Sequence, residues 1–365
     1  MKYFFIAGER SGDLHASNLI KELRRRDVDA HIVGFGGALM EQEGMQLLRH
    51  YKSYSFMGLW EVVAHLGTIR QTMNACKLEI RKFQPDVLVL VDFPGFNLRM
   101  ASFGKQLGIK TCYYISPKIW AWKKSRIKKI RKVVDKMLVI LPFEVEFYKS
   151  LNFPVEYVGN PLMDAVRTYN FEPLPESRQT RVAILPGSRI QELKAAIPVT
   201  LEMAKLRPDY QFLVAGVNNL PDDLYAPLKV QRNIEVIFDR TYDLLKEANA
   251  SVVTSGTATL EACLLSAPQV VVYGTSWLTY KVGKAILNVK YISLVNLIAD
   301  RDVVKEMIQS DFNAQTVLAE VDKLLTDHAY CGKMLAEYQE IKEKIGFEPA
   351  SKRAAEAVVS WLGID

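Results

Sequence analysis

Residues 181–192 read RVAILPGSRIQE, and they combine a strand, a turn and the start of a helix. Arg181 to Leu185 is a short apolar run typical of a buried strand, and apolar residues recur at helical spacing after the turn. Such a junction points backbone N–H groups at one spot, where the helix dipole adds positive charge. Arg189 adds a planar cation that suits phosphate oxygens. The segment predicts a pyrophosphate cradle, with an ordinary turn and a surface arginine as the alternative.

A second strand–turn–helix element follows later in the same half of the chain. The apolar run Ala250–Val253 leads into Ser255-Gly-Thr257, and Glu261 lies one helical turn further on. Backbone N–H groups and hydroxyls at a helix start suit a phosphate, and a carboxylate one turn in suits ribose hydroxyls. Alone, this element reads equally as a capped helix. Two helix N-termini that each favour an anion, in one domain, predict a bound nucleoside diphosphate.

Short apolar strands alternate with amphipathic helices along most of the chain. This pattern predicts an α/β protein with parallel sheets covered by helices on both faces, and 365 residues suggest two domains. We predict two Rossmann-like domains. The expected boundaries are an N-terminal domain over 1–167, a polar linker over 168–180, a C-terminal domain over 181–345, and a last helix within 346–365 that packs back on the first domain.

Composition narrows the class of protein. Hydrophobic residues make up 49% and charged residues 24%, as in ordinary globular proteins. The four cysteines form no CxxC and the five histidines show no metal-ligand spacing, which argues against a disulfide scaffold and a structural zinc. No apolar run is long enough to span a bilayer, and none resembles a signal peptide. We expect a cytoplasmic protein, or one attached to a membrane from outside.

The first half carries a carboxylate at the end of a buried strand. Asp92 follows the apolar run Leu88–Val91, and a carboxylate placed where such a strand opens into a cleft is a natural general base. Asn97 and Arg99 follow and could orient a sugar hydroxyl or a phosphate. The alternative is that Asp92 caps the next helix. An earlier strand end carries Gly8-Glu-Arg-Ser-Gly-Asp13, which suits either a polar ligand or a helix cap.

The segment 118–132 (KIWAWKKSRIKKIRK) holds eight basic residues and no acidic one, against a net charge of +6 for the whole chain. The basic character is therefore one patch. Indoles beside cations suit a membrane interface with anionic lipid. A solvated helix face and a nucleic-acid surface are the alternatives, and we expect no nucleic acid because no nucleic-acid motif accompanies the patch.

Asp300-Arg-Asp302 has the form of a DxD metal motif, but these aspartates read better as the start of a helix over Val303–Ile308. We therefore expect no metal.

Taken together, these segments resemble one family, the lipid-A-disaccharide synthases (LpxB), over nearly the whole chain. The matching segments, in chain order, are Gly8–Asp13, Met57-Gly58 with Glu61-Val62, Asp92–Asn97, Tyr114–Pro117 with Trp120-Ala-Trp122, Leu141–Glu144 with Tyr148, Val158-Gly with Pro161-Leu162, Leu185–Arg189 with Glu192, Ser255–Thr257 with Glu261, and Asn296-Leu297.

The resemblance implies an inverting glycosyltransferase of lipid A biosynthesis in a Gram-negative bacterium. It implies the GT-B architecture, in which two Rossmann-like domains face each other across a cleft. It implies condensation of UDP-2,3-diacylglucosamine with 2,3-diacylglucosamine 1-phosphate, giving a β-1,6-linked disaccharide 1-phosphate and UDP. It also implies that no cofactor is needed and that the protein attaches to the inner face of the inner membrane. The oligomeric state stays open, with a homodimer as one option.

The resemblance also implies roles for particular residues, with Asp92 as catalytic base. The donor residues are Gly187, Ser188, Arg189, Glu192, Ser255, Gly256, Thr257, Glu261 and Asn296. The acceptor pocket is expected to contain Glu9, Ser11, Gly12, Asp13, Asn97 and Arg99. The surface expected to face the membrane comprises Trp120, Trp122, Lys123, Lys124, Arg126, Lys128 and Lys129, and is called the basic surface below.

Three other functions stay open at this stage. Another UDP-sugar enzyme, such as a non-lipid glycosyltransferase or a UDP-sugar 2-epimerase, would share the nucleotide cradle without needing the basic surface. A dinucleotide-dependent oxidoreductase is disfavoured because the G-x-G-x-x-G fingerprint is missing. A nucleotide-binding module without activity would not need Asp92.

Overall fold

The computed structural model describes residues 1–54, 66–275 and 289–364. The family matches at Met57-Gly58 and Glu61-Val62 lie outside the described residues. Contacts divide the chain into a first unit, Met1–Asp164 with Phe347–Asp365, and a second unit, Ala165–Gly346.

The strands of the first unit are β1 Lys2–Ala7, β2 His31–Gly36, β3 Gln46–His50, β4 Val87–Val91, β5 Lys110–Tyr114, β6 Lys136–Val139 and β7 Glu156–Tyr157. Those of the second unit are β8 Thr180–Leu185, β9 Tyr210–Gly216, β10 Ile234–Phe238, β11 Ala250–Thr254, β12 Gln269–Tyr273 and β13 Lys305–Ile308.

The helices in the described residues are α1 Arg10–Arg24, α2 Ala38–Gln42, α3 Leu66–Phe83, α4 Pro94–Gln106, α5 Ile127–Val133, α6 Phe143–Lys149, α7 Pro161–Thr168, α8 Ile190–Leu206, α9 Ala226–Lys229, α10 Thr241–Glu247, α11 Thr257–Leu264, α12 Leu294–Ala299, α13 Ala314–Thr326, α14 His328–Ile345 and α15 Ala350–Leu362. Short 3₁₀ segments occur at Tyr51–Ser53, Lys124–Arg126, Asp222–Tyr225 and Gln309–Asp311.

The first unit is built on a seven-stranded sheet in the order β3-β2-β1-β4-β5-β6-β7, and its described strand pairings are parallel. Side chains alternate between its two faces, as the strand period requires. Tyr3 and Phe5 belong to the core under α1 and α15, whereas Phe4 and Ile6 belong to the core under α3, α4 and α5. The last helix therefore completes the first unit.

The second unit is built on a six-stranded sheet in the order β10-β9-β8-β11-β12-β13, again with parallel pairings among the described residues. Leu185 and Leu213 pack with Leu244 of α10 in one core cluster. The predicted α/β class with two Rossmann-like parallel sheets is confirmed.

The prediction of a helix over residues 303–308 is wrong, because Lys305–Ile308 is the edge strand β13, paired with β12. The segment 168–180, predicted to be a polar linker, is hydrogen-bonded to the second unit. The Tyr169 hydroxyl donates to Asp243 Oδ2 at 3.0 Å, and the Glu172 N–H donates to Asp243 Oδ1 at 2.9 Å.

Candidate active site

The predicted loops follow the central strands of each sheet. In the first unit the strand order reverses between β1 and β4, which end side by side with Ala7 opposite Val91. In the second unit it reverses between β8 and β11, with Leu185 opposite Val253. Open parallel sheets bind ligands outside the carboxyl ends of strands at such switch points. Each unit therefore places two of the sequence-predicted segments at its expected binding edge.

Asp92 lies in a strained turn that its neighbours hold in place. Asp92 and Phe93 have φ values of +47° and +46°, in the left-handed region that residues with side chains avoid. The backbone carbonyl oxygen of Asp92 accepts hydrogen bonds from the Tyr113 hydroxyl at 2.5 Å and the Asn97 amide at 2.8 Å. Its N–H donates to the Tyr114 carbonyl oxygen at 3.0 Å. Left-handed residues cost about 1–3 kcal/mol each and collect at functional sites.

The environment of the Asp92 carboxyl favours its protonated form. Burial raises its pKa above the usual value of 3.8, while Lys118 and the N–H of Phe93 act in the opposite direction. A raised pKa brings a carboxylate closer to the range in which a general base works best. The electrostatics therefore agree with the role predicted for Asp92.

The Gly8–Asp13 segment packs against the Asp92 turn. A Cβ at Gly8 would lie 2.3 Å from the Phe93 ring, so a side chain at this position is excluded. Glu9 is the N-cap residue of α1, and Ser11 is exposed in its first turn. Gly12 is buried against Ala7. The exposed Ser11 therefore stays available for the predicted acceptor pocket, and Glu9 lies at the start of the same helix.

Asp13 was predicted to line that pocket, but in the structure it is buried and hydrogen-bonded to the backbone. Its side chain is 3% exposed, and its oxygens accept hydrogen bonds from the backbone N–H groups of Leu39 and Met40 at 3.3 and 3.1 Å. Asp13 therefore caps the start of α2. The capping alternative is supported, although the capped helix is a different one from that expected.

Asn97 also differs from its predicted role in the acceptor pocket. It is 0% exposed, and its Nδ2 donates to the carbonyl oxygens of Ile6, Val91 and Asp92. These bonds tie β1 to the Asp92 turn, so Asn97 positions the turn and has no surface left for a ligand. Arg99, by contrast, is exposed on α4, with its Nη1 bonded to the Gly95 carbonyl oxygen at 2.8 Å.

The two tryptophans of the basic surface have different environments. The Trp120 indole is half-buried, and its N–H donates to the buried carboxylate of Glu144 at 3.2 Å. Trp122 is 38% exposed, with Lys123 and Arg126 4.4 and 5.0 Å from its ring centre. Trp120 therefore contributes mainly to the interior, whereas Trp122 is available to a partner surface.

The cations of the basic surface are largely on the outside of the first unit. Arg126 is half-buried, and the four lysines are exposed at Lys123, Lys124, Lys128 and Lys129. The α5 helix that carries two of them turns Ile127 and Ile130 into the core. No helix in the described chain is long and apolar enough to cross a membrane.

In the second unit, Gly187-Ser-Arg189 joins β8 to α8 as predicted, but its backbone donors are already satisfied. Glu192 Oε2 accepts from the N–H groups of Ser188 and Arg189 at 3.1 and 3.2 Å, and Glu192 Oε1 lies 2.7 Å from Arg189 Nη1. Gly187 has φ +98°, and a Cβ there would lie 2.3 Å from Glu192 Oε2. Glu192 therefore stands where an anion was expected. An incoming diphosphate has to displace it or bind on the outer side of Arg189, whose side chain is 68% exposed.

The second predicted helix start has exposed backbone. Gly256 and Thr257 are exposed at the beginning of α11, and the Ser255 hydroxyl donates to the Ile292 carbonyl oxygen at 2.8 Å. Glu261 accepts a hydrogen bond from the Tyr242 hydroxyl at 2.8 Å. Burial raises the pKa of the Glu261 carboxyl, and the bond from Tyr242 opposes that shift. A carboxylate that already accepts one hydroxyl can accept others, as a ribose would require.

Asn296 was predicted to contact the donor, but it is 0% exposed. Its Oδ1 accepts from the N–H groups of Val303 and Val304 at 2.8 and 3.0 Å, and its Nδ2 donates to Glu306 at 2.9 Å. Glu306 also accepts from the N–H groups of residues 292 and 293. Asn296 therefore holds the segment to which Ser255 is bonded, and all of its bonds are internal.

The DxD-like segment is engaged within the second unit. Arg301 Nε donates to Glu337 at 2.6 Å, and Asp300 ends α12 in a left-handed conformation. Across the described ranges 1–54, 66–275 and 289–364, no group of three or more His, Cys, Asp or Glu side chains could hold a metal ion.

Three side chains that shape these sites were not predicted from the sequence. Tyr113 fixes the backbone of Asp92, Glu144 holds the Trp120 indole, and Tyr242 holds Glu261. Glu144 lay within a segment that matched the family, but nothing in its spacing showed that it would be buried. Burial raises the pKa of its carboxyl against four hydrogen bonds, from Ser116, Trp120, Ile140 and Leu141.

One family profile and its curated relatives match nearly the whole chain. The profile of the LpxB family, described as lipid-A-disaccharide synthetase, matches residues 3–359. The lipid-A-disaccharide synthase of Geobacter sulfurreducens is 38% identical, with 99% of this chain and 97% of the relative covered. That of Nitrosococcus oceani is also 38% identical, covering 98% of this chain and 95% of the relative.

Comparison with solved structures supports the fold. The UDP-GlcNAc 2-epimerase from Neisseria meningitidis, solved bound to UDP-GlcNAc, has a TM-score of 0.71 at 15% identity, covering 99% of this chain and 100% of that one. The calicheamicin glycosyltransferase CalG4 has a TM-score of 0.64 at 16% identity, covering 99% and 98%. At these identities the likeness establishes the fold, that of the GT-B glycosyltransferases and epimerases.

Proposed function

The chain belongs to the lipid-A-disaccharide synthase family, and we propose that it transfers 2,3-diacylglucosamine from its UDP donor to 2,3-diacylglucosamine 1-phosphate. The products are a β-1,6-linked disaccharide 1-phosphate and UDP. The observation that carries the proposal is Asp92, a carboxylate with a raised pKa in a strained turn at a sheet switch point.

In the proposed reaction, Asp92 removes the proton from the 6-hydroxyl of the acceptor. The hydroxyl oxygen then attacks the anomeric carbon of the donor, and the bond between that carbon and the diphosphate breaks with UDP taking the electron pair. Attack from the face opposite UDP inverts the anomeric centre, and one base is sufficient for this displacement. Glu9 and Ser11 would contribute to the acceptor pocket beside Asp92.

The second unit would hold the UDP portion of the donor. The Arg189 guanidinium and the start of α11 at Gly256 and Thr257 would face the diphosphate, because cations and helix starts stabilise the negative charge that grows on it. Glu261, oriented by Tyr242, would accept the ribose hydroxyls. Glu192 and Asn296 would act indirectly, by holding Arg189 and the Ser255 segment.

Mass spectrometry of the products tests this function. Incubation of the protein with both acylated sugars is expected to give the disaccharide 1-phosphate and UDP. The fold is shared with UDP-sugar 2-epimerases, so UDP-GlcNAc without acceptor is the second arm of the assay, read by proton NMR because C2 epimers have the same mass. Inversion at C2 of that sugar, with no disaccharide from the acylated pair, would replace the proposal with an epimerase.

The substrates carry acyl chains, so we also propose that the basic surface docks on the cytoplasmic face of the inner membrane. Lys123→Glu with Lys124→Glu is expected to weaken binding to phosphatidylglycerol vesicles in co-sedimentation about 30-fold or more at low salt, since two cations are lost and each contributes about 1 kcal/mol near an anionic surface. The same charge reversal at Lys194, an exposed lysine of the second unit, is the control. Equal binding by both variants would contradict the docking surface.

A further inference from the structure

Three cations lie within electrostatic range of Lys129 or on it: Arg99 on α4, Arg126 just before α5, and Lys129 on α5. Helix α4 packs against α5, which brings Arg99 into electrostatic range of Lys129, and Arg126 is also within range of Lys129. Arg99 is anchored to the Gly95 carbonyl oxygen at 2.8 Å. The Arg126 guanidinium lies 5.0 Å from the centre of the Trp122 ring. These contacts hold the arginines in place, and we call Arg99, Arg126 and Lys129 the cationic trio.

The cationic trio lacks a negative partner. Among the ion pairs of the described residues, none joins a member of the trio to a carboxylate. Burial together with the two arginines lowers the pKa of the Lys129 ammonium, which shows that a third positive charge is disfavoured there. Like charges at close range cost free energy that a bound anion recovers. The trio therefore suits an anion with more than one negative charge.

The trio lies in the same region of the first unit as the proposed base. The Tyr113 hydroxyl donates to the Asp92 carbonyl oxygen at 2.5 Å, and Arg126 is within electrostatic range of that same hydroxyl. Lys118 is within range of the Asp92 carboxylate itself. Arg126 therefore lies near the tyrosine that fixes the Asp92 turn, which puts the trio and the proposed base in one region of the first unit.

We propose that Arg99, Arg126 and Lys129 bind the phosphomonoester of the acceptor sugar. This rests on the proposed function, in which the acceptor carries a reacting hydroxyl at one end of its ring and a phosphate at the other. The hydroxyl would meet Asp92 while the phosphate meets the trio. A phosphomonoester carries close to two negative charges and three acceptor oxygens, which matches a group of guanidinium and ammonium donors.

This assignment divides the basic surface into two parts. Arg126 and Lys129 pass from the membrane-facing set to the acceptor site, together with Arg99. Lys123 and Lys124 stay exposed, with Lys123 against the Trp122 ring, and keep the membrane role. A phosphate on a lipid headgroup has the same chemistry as the acceptor phosphate, so the experiment has to separate these two sources.

The test measures steady-state kinetics in detergent micelles free of phospholipid, with 2,3-diacylglucosamine 1-phosphate or the same sugar without phosphate as acceptor. Arg99→Gln and Lys129→Gln are expected to raise KM for the phosphorylated acceptor about 10- to 100-fold, as expected for lost hydrogen bonds to a charged group. We expect kcat, and KM for the sugar without phosphate, to change little. Lys129→Arg should retain most of the affinity. Lys132→Gln, at an exposed lysine of the same helix, is the matched control.

Three results would overturn the assignment. One is an unchanged KM, and another is the same rise for both acceptors. The third is a loss of phosphatidylglycerol vesicle binding in Arg99→Gln as large as that in the Lys123/Lys124 variant, which would identify a lipid headgroup as the ligand.

A binding measurement keeps the inference separate from the proposed function. Saturation-transfer NMR with glucosamine 1-phosphate needs no turnover. A signal in the wild type that disappears in Lys129→Gln supports the trio even if no disaccharide is formed. The absence of any signal in the wild type would count against the trio alone.

Discussion

Asp92→Asn will lower kcat by about 10²- to 10⁴-fold, the usual contribution of a positioned general base, while UDP binding and folding stay intact. The acceptor hydroxyl loses its proton acceptor because an amide cannot take the proton. The three hydrogen bonds that fix the turn all involve the backbone of Asp92, so the substitution leaves them in place. Steady-state kinetics, together with calorimetric titration of UDP, measures the effect.

The raised pKa of Asp92 has two further measurable consequences, one in the pH dependence of the rate and one in the Tm. In the wild type, the acid limb of kcat/KM should lie above the 3.8 of an ordinary aspartate. The folded state holds the Asp92 proton more tightly than the unfolded state does, so ionisation of Asp92 costs stability as pH rises from 3.8 through the folded pKa. Asp92→Asn removes that cost, and its Tm at neutral pH should equal or exceed that of the wild type.

The matched control lies at the other end of the same strand. Asp86 precedes β4 and accepts a hydrogen bond from the Lys2 N–H at 2.7 Å. Asp86→Asn should keep its turnover. Near-wild-type turnover in Asp92→Asn, or equal losses in both variants, would show that the base is another group.

Arg189→Ala will weaken UDP binding about 10- to 100-fold and lower kcat by about 10²-fold or more, because charge grows on the diphosphate as it leaves. The guanidinium is exposed and held by Glu192 at 2.7 Å, so it is oriented before the ligand arrives. Its removal also leaves the Glu192 carboxylate near the diphosphate without its cation. Calorimetric titration of UDP measures the first effect, and initial rates measure the second.

Lys194→Ala is the control for Arg189, since it removes an exposed cation from the same helix. A general loss of positive charge would weaken UDP binding in both variants. An unchanged UDP affinity in Arg189→Ala would refute the cradle.

Local patterns were sufficient for the strands that make the binding edges. The apolar runs before Asp92, Pro186 and Ser255 are buried strands, because a central parallel strand needs apolar side chains on both faces. Edge strands are different, since only part of their surface is covered. Gln46–His50 and Lys305–Ile308 contain charged residues and show no clear period, so their pairing with β2 and β12 could not be predicted.

The polar residues of the candidate site also fall into two groups, those whose placement depends on local sequence and those bonded to distant or internal partners. Asp92 and Arg189 follow strand ends, and their placement depends on local sequence. Asp13, Asn97 and Asn296 are also polar residues near the starts of helices, but their side chains are buried and bonded to distant or internal partners. Asn97 bonds to a carbonyl oxygen 91 positions earlier, and Asp13 caps a helix 27 positions later. Only the assembled sheet shows which polar side chains remain free for substrate.

The placement of α15 determines when the first unit can finish folding. Ala354 and Val358 share a core cluster with Leu19 and Leu23 of α1, and Asp164 bonds to the N–H of Ala350 across 186 positions. During synthesis, one side of α1 stays uncovered until the whole intervening unit has been made. A cut after Asp164 would therefore release a fragment whose exposed apolar surface favours aggregation. Residues 165–346, by contrast, form one continuous segment, so this unit has all of its residues as soon as that segment has been synthesised.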